Sequence, residues 1–385
     1  MTGKTTSMPI LGSKSTNGDD ESAILRNLDR IEVKGIGTCL PVMFDELGDL
    51  HLHAGANYDG KPSTFIVCSR TLARASPVFK KMLFGNFAES RASHADKTDW
   101  TVELPDDKPD PLKCLLHIMH GSFKNVPRTA SSFDLFETIV LADKYDCIDI
   151  FRPWASTWSN IPESDSNDGY LLYIGWELGD LALVKRMALK IANECTVSLD
   201  GKILYDFSVS SRIFTGRRVV IKKDLYEALG ECLPTSIIDQ IVELRNKLID
   251  TEMKPYHTIY ESLKLWARCK HGAVTFPEDV HTDCDLLLLG SLVKGFFNIR
   301  IELGSVNPSA SYKGSAKELR KHLDKLQLSV GGRSKLFVHE SCEKRVETDR
   351  ANGCFAADAL RIQGIQISQD HRSRILGQGK KTGLV

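Results

Sequence analysis

The chain has 385 residues, with 50 Lys+Arg balanced by 50 Asp+Glu. This formal neutrality excludes a global electrostatic attraction to nucleic acid or to an acidic membrane surface. A hydrophobic share of 42% beside 26% charged residues excludes a wholly disordered chain and gives enough apolar surface for the cores of two or three domains.

The stretch Met1–Ile10 lacks the apolar block of a signal peptide. No run of roughly 18 apolar residues is present to cross a membrane. Thr2 and the ending Thr382-Gly383-Leu384-Val385 do not fit myristoyl or prenyl motifs. An intracellular chain, in cytoplasm, nucleus or both, is expected. Ten cysteines are scattered without a Cys-x-x-Cys pair, the usage of buried free thiols in a reducing compartment.

Residues 1–22 are rich in Ser, Thr, Gly and Asp and read as a disordered tail. A short helix is expected over Ala23–Ile31. Residues 46–160 then show a compact α+β pattern. Leu50 and Leu52 alternate with His51 and His53, as in a half-buried strand. Gly55 to Ser63 is turn chemistry, and Phe65–Val67 is a second strand that makes a hairpin with the first. Ser76 caps the helical turn that Pro77 opens. Trp100, Val102 and Leu104 alternate as a third strand, stopped by the segment Pro105–Pro109. Leu112, Leu115, Leu116 and Met119 share one face of a helix that ends at Gly121. Ser131 or Ser132 caps the next helix, with Phe133, Phe136 and Val140 on one side.

Residues 161–165 read as a hinge, and 166–260 as a helical extension. Tyr170–Cys195 is helical, with Leu181, Val184, Ala188 and Ile191 spaced for burial. Ile237, Ile241, Leu244 and Leu248 mark a strongly periodic helix after Pro234, with Glu243 and Lys247 as an i,i+4 pair. Residues 261–385 form a mixed C-terminal domain containing Cys and His. In it, Ser315-x-x-Glu318 is a capping box before the stripe Leu319, Leu323, Leu326. Gly379-Lys380-Lys381 reads as a short disordered basic end.

The segment Phe65–Phe79, with Leu72 and Ser76-Pro77-x-Phe79, then Leu83-Phe84, Phe87 and Glu89-Ser90, resembles the signature of a BTB/POZ domain. Asp49 fits the family's Asp at the start of the first strand. Cys114–Gly121 fits its helix before a tight turn. The run Val140–Cys147 and Arg152-Pro153-Trp154 looks like the version common in fungal members. The resemblance implies a small sheet flanked by helical hairpins and a module that binds other proteins without catalysis. It also implies homo- or hetero-oligomers and, in many members, bridging to a cullin ubiquitin ligase. Cys68 and Ser69 stand where many members carry His and a basic residue. In dimerising members that basic group pairs with the Asp, so homodimerisation is in question.

Cys269, Cys284, His339 and Cys342 form the candidate metal set. Thiolates and imidazole suit tetrahedral zinc, and four protein ligands describe a closed structural site. Free thiols and a surface His are the alternative, and His271 and Cys354 are further candidate ligands. Gly55 to Lys61 matches the start of a phosphate loop, but Pro62 replaces the required Ser or Thr, and a strand follows where a helix is needed. A hairpin loop is the expectation. His51/His53 and His117/His120 read as solvated pairs. Arg217, Arg218, Lys222 and Lys223 surround Val219–Ile221 as a basic hairpin edge. The function expected is an adaptor or scaffold with protein partners, a cullin among them, no catalytic residues, and either no cofactor or one structural zinc. The alternative is a nucleic-acid-associated regulator with a structural zinc, although composition argues against nucleic acid.

Overall fold

A two-residue strand opens the first sheet. β1 (Val42–Met43) runs parallel to β3 (Ser63–Val67), which pairs antiparallel with β2 (Leu50–Ala54); β2 in turn pairs parallel with β4 (Thr101–Leu104), giving the order β1-β3-β2-β4. Leu52 lies opposite Phe65 on one side and Val102 on the other, and all three are buried. Period-2 alternation decides this register, because a one-residue slip would turn the leucines to solvent. The computed structural model describes residues 40–58, 62–94, 100–161, 167–210, 218–265, 268–269, 282–305, 307–330 and 340–385. The expected tail over 1–22 and helix over Ala23–Ile31 lie outside them.

The helical hairpin follows as expected. α1 (Ser69–Ala75) stops at Ser76, which is extended and caps α2 (Pro77–Phe84) by accepting from Phe79 N at 3.0 Å. Leu72, Phe79 and Leu83 are buried under the sheet. α3 (Pro109–Met119) buries Leu112, Leu115 and Leu116, and Gly121 turns the chain at φ +70°. α4 (Ser132–Lys144) is capped by Ser131. α5 (Ala155–Trp158) closes the module with Trp158 buried.

In the extension, α6 (Asp168–Leu178) is buried nearly all round, and α7 (Leu181–Glu194) buries Val184, Ala188 and Ile191. Gly179, at φ +85°, separates them. The basic hairpin edge expected around Val219–Ile221 lies in a three-stranded antiparallel sheet, β5 (Thr196–Val197), β6 (Ile203–Ser210) and β7 (Arg218–Asp224), in that order, which interrupts the otherwise helical extension. α8 (Leu225–Leu229) leads to α9 (Thr235–Leu265), whose Ile237, Ile241, Leu244 and Leu248 are all buried. Arg245 on the same helix is fully buried and donates to the carbonyls of Gly314 at 2.7 Å, Tyr312 at 3.1 Å and Cys195 at 3.4 Å. Three carbonyl dipoles thus compensate a guanidinium withdrawn from water. The Glu243–Lys247 pair forms at 2.6 Å.

Beyond this come α10 (Thr282–Asn298), α11 (Pro308–Ser311), α12 (Ala316–Asp324), α13 (Glu340–Gln363) and α14 (Gln369–Thr382). The capping box at Ser315 and Glu318 forms, and Leu319, Leu323 and Leu326 are buried. The basic end expected to be disordered is instead the last turn of α14. Its Gly379 lies so close to Gly179 that a Cβ on Gly179 would come within 2.0 Å of Gly379 N. Arg374 pairs with buried Glu177 at 2.7 Å, and Thr382 Oγ1 donates to the Leu178 carbonyl at 2.6 Å. Residues Pro41–Val385 are one compact unit. No helix among the described residues is long and apolar enough to cross a membrane.

Candidate functional site

The front module is held by a polar and aromatic knot joining distant parts of its sequence. The Ser76 hydroxyl, besides capping α2, donates to the Tyr145 carbonyl at 2.6 Å. The Phe79 and Tyr145 rings stack at 4.0 Å and 9°. The Tyr145 hydroxyl donates to Asp107, which is fully buried and also takes Lys144 Nζ at 2.5 Å. Burial, reinforced by the Asp107 carboxylate, raises the Tyr145 phenol far above its ordinary range and keeps it a donor.

Asp49 accepts from Ser69 N and Ser69 Oγ, both at 2.8 Å, and lies 4.0 Å from Arg91. Its carboxylate supplies the start of α1 with the side-chain cap that Cys68 does not provide. Ser69 therefore partners Asp49 within its own chain. On the outer side of the module Val78, Phe84 and Phe87 remain exposed.

The His117/His120 pair is more buried than the solvated expectation, whereas His53 stays at the surface. His53 Nδ1 meets Glu103 at 2.9 Å across the sheet. His120 Nε2 accepts from Cys68 N at 3.1 Å, so Nδ1 carries the proton and donates to the Leu116 carbonyl at 3.0 Å. Burial lowers the pKa of His120, outweighing the opposing effects of Leu116 and Asp45. His117 is lowered too, by burial and then by Lys113 and His120.

The glycine-rich segment joins β2 and β3 as an antiparallel hairpin with Ala54 opposite Ser63. Gly60 and Lys61 lie outside the described residues, and the strand after them is not the helix a phosphate loop requires. The basic segment is the edge strand β7, with Lys222 and Lys223 exposed; Arg217 lies outside the described residues.

Three members of the candidate metal set converge. The Sγ atoms of Cys269, Cys284 and Cys342 all lie within 4.8 Å of one another, although the residues stand up to 73 positions apart. Cys269 follows the end of α9, Cys284 sits in the first turn of α10, and Cys342 in the first turn of α13. Asp285 fixes the first segment by accepting from Arg268 N at 2.8 Å and Cys269 N at 3.1 Å. Arg268 pairs with Asp349 on α13, and Arg345 reaches the Arg268 carbonyl at 3.4 Å. The thiols, both arginines, Asp285, Leu288 and Val346 border a cavity of about 10 Å³. Burial and the adjoining Cys269 raise the Cys342 thiol. His339 and His271 lie outside the described residues, and Cys354 is not part of the cluster. By contrast Cys114, Cys195 and Cys232 are isolated thiols pushed up to about 11, chiefly by burial. Spacing pointed to the converging cysteines, whereas Asp285 and the two arginines carried no motif.

The front of the molecule is a four-stranded sheet with paired short helices. Residues 45–153 match the BTB/POZ domain family model, and this stretch is a BTB/POZ domain. No curated protein matches the chain.

Proposed function

We propose that this chain is a substrate adaptor of a cullin-type ubiquitin ligase, its BTB/POZ domain docking the cullin and its helical remainder presenting a second protein. The observation that carries this reading is the BTB/POZ domain itself, built into one compact unit with the helices that follow it. Two exposed apolar surfaces support the division of labour. Val78, Phe84 and Phe87 stand on the module, while Leu286, Val293 and Phe297 recur along one side of α10, with Phe297 80% exposed. Burying such groups at an interface contributes about 25 cal/mol per Å² of apolar surface removed from water, before the costs of association. Ser69 donates to Asp49 at the position where dimerising members carry a basic residue, which supports a module that meets an unlike partner.

The test is direct association of the purified full chain with a purified cullin N-terminal region, followed by size-exclusion chromatography with light scattering. A one-to-one complex is expected, and the Phe84→Asp/Phe87→Asp variant should weaken it. A folded chain that elutes alone at every concentration tried would remove the cullin assignment.

A further inference from the structure

We propose that Cys269, Cys284 and Cys342 are the thiolate ligands of one structural zinc ion, which pins the end of α9 to the starts of α10 and α13. The inference does not depend on which partner the BTB/POZ domain docks.

Three observations carry it. First, three sulfurs from distant positions meet within 4.8 Å. Zinc–sulfur bonds of about 2.3 Å in a tetrahedron place sulfurs about 3.8 Å apart, so only a small inward movement is needed. A disulfide would join two of these sulfurs at about 2.05 Å and leave the third unused. Second, the cavity between them is about 10 Å³, room for a single ion, and three thiolates fall short of the four that hold an iron–sulfur cluster. Soft thiolates also select against magnesium and calcium.

Third, the charge of the surroundings is right. Binding releases three thiol protons as Zn²⁺ and three Cys–SH become a Zn–(S–Cys)₃ unit of charge −1. Arg268 and Arg345 border the site beside Asp285; Arg268 is already paired with Asp349, so Arg345 is the group that supplies the opposite sign. Water or a further residue takes the remaining corner of the tetrahedron. Hydrogen bonds from Arg268 N and Cys269 N to Asp285 hold the first ligand segment against α10 before metal arrives, the kind of outer support that orients metal ligands.

The untagged full chain, purified without chelator, should carry about one zinc per molecule by elemental analysis. Cys284→Ser and Cys342→Ser should each lose it and lower the thermal midpoint, while Cys114→Ser keeps it. Cobalt substituted for zinc should show thiolate-to-cobalt charge transfer and tetrahedral d–d bands. Should the serine variants fail to fold, titrating the wild-type chain with an organomercurial decides the matter: zinc should leave as three thiols react. The proposal is overturned by a folded chain that has no metal and does not take up zinc or cobalt. Zinc retained in both serine variants, or a native disulfide within the triad found by mass spectrometry, would overturn it equally.

Discussion

Tyr145 is where the signature around Ser76, the stop segment after β4 and the end of α4 meet. Removing its hydroxyl in Tyr145→Phe leaves a fully buried Asp107 carboxylate short of a donor. An unsatisfied buried acceptor of this kind costs about 1–3 kcal/mol, so urea unfolding should show a loss of that size with the fold retained; an unchanged midpoint would refute the role. His120 adds a pH dependence. Its folded pKa lies below the ordinary 6.5 because burial favours the neutral ring that accepts from Cys68 N. Above 6.5 the ring is neutral both folded and unfolded, so no difference arises. As pH falls below 6.5 the unfolded ring takes a proton first, and stability declines until the folded pKa is reached. Denaturant titrations from about pH 7 to pH 5 should show this decline, with a shallower one in His120→Gln. Ser76, Pro77, Phe79 and Tyr145 were all legible as motif residues. Asp107 was not, because the segment Pro105–Pro109 carries ordinary turn chemistry, and only the fold brings its carboxylate to a phenol 38 positions away.

Among elements, α14 was not legible in sequence, where only its last turn was read, as a disordered basic end, and the reason is physical. Its buried contacts are Ile375, Gly379 and Thr382, too few apolar groups to make a 3.6-residue stripe. It docks through backbone proximity at Gly179 and Gly379, through Arg374 on buried Glu177, and through Arg152 against Gly383. None of these leaves a periodic signal. α9, by contrast, was legible from its apolar stripe alone, and α12 from its capping box. A Gly179→Ala substitution meets two obstacles, the left-handed φ of +85° and a contact of 2.0 Å with Gly379 N. Left-handed strain alone costs about 1–2 kcal/mol. Undocking of α14 is therefore expected, seen as faster amide exchange across residues 369–385 while the sheet of the module keeps its protection. Normal protection of that helix in the variant would mean that the close approach is not what holds it.

At the scale of the whole molecule, the BTB/POZ domain and the helices behind it share a core, which makes the module's stability a property of the chain. Phe136 on α4 stacks on Tyr170 at 4.6 Å and meets Tyr173 at 5.2 Å. Ser132 Oγ accepts from Asn167 N at 3.0 Å, and Arg152 Nη1 reaches the Lys380 carbonyl at 3.5 Å. Cutting the chain at the expected hinge removes all of these partners from the module together. Uncovering one aromatic side chain costs about 1.5–3 kcal/mol, so a fragment of residues 40–165 should unfold about 5–10 °C below a module that kept its partners. The loss should be local, with α4 amides exchanging faster in the fragment than in the full chain and the β2–β3 pair least affected, since those strands lie within the module's own sheet. If α4 is equally protected in both, the interface contributes no stability, and the helical remainder is only carried by the module. If protection falls as expected, a partner that displaces α14 or the Tyr170 face would loosen α4 as it binds, giving the two ends of the adaptor a mechanical link through Phe136.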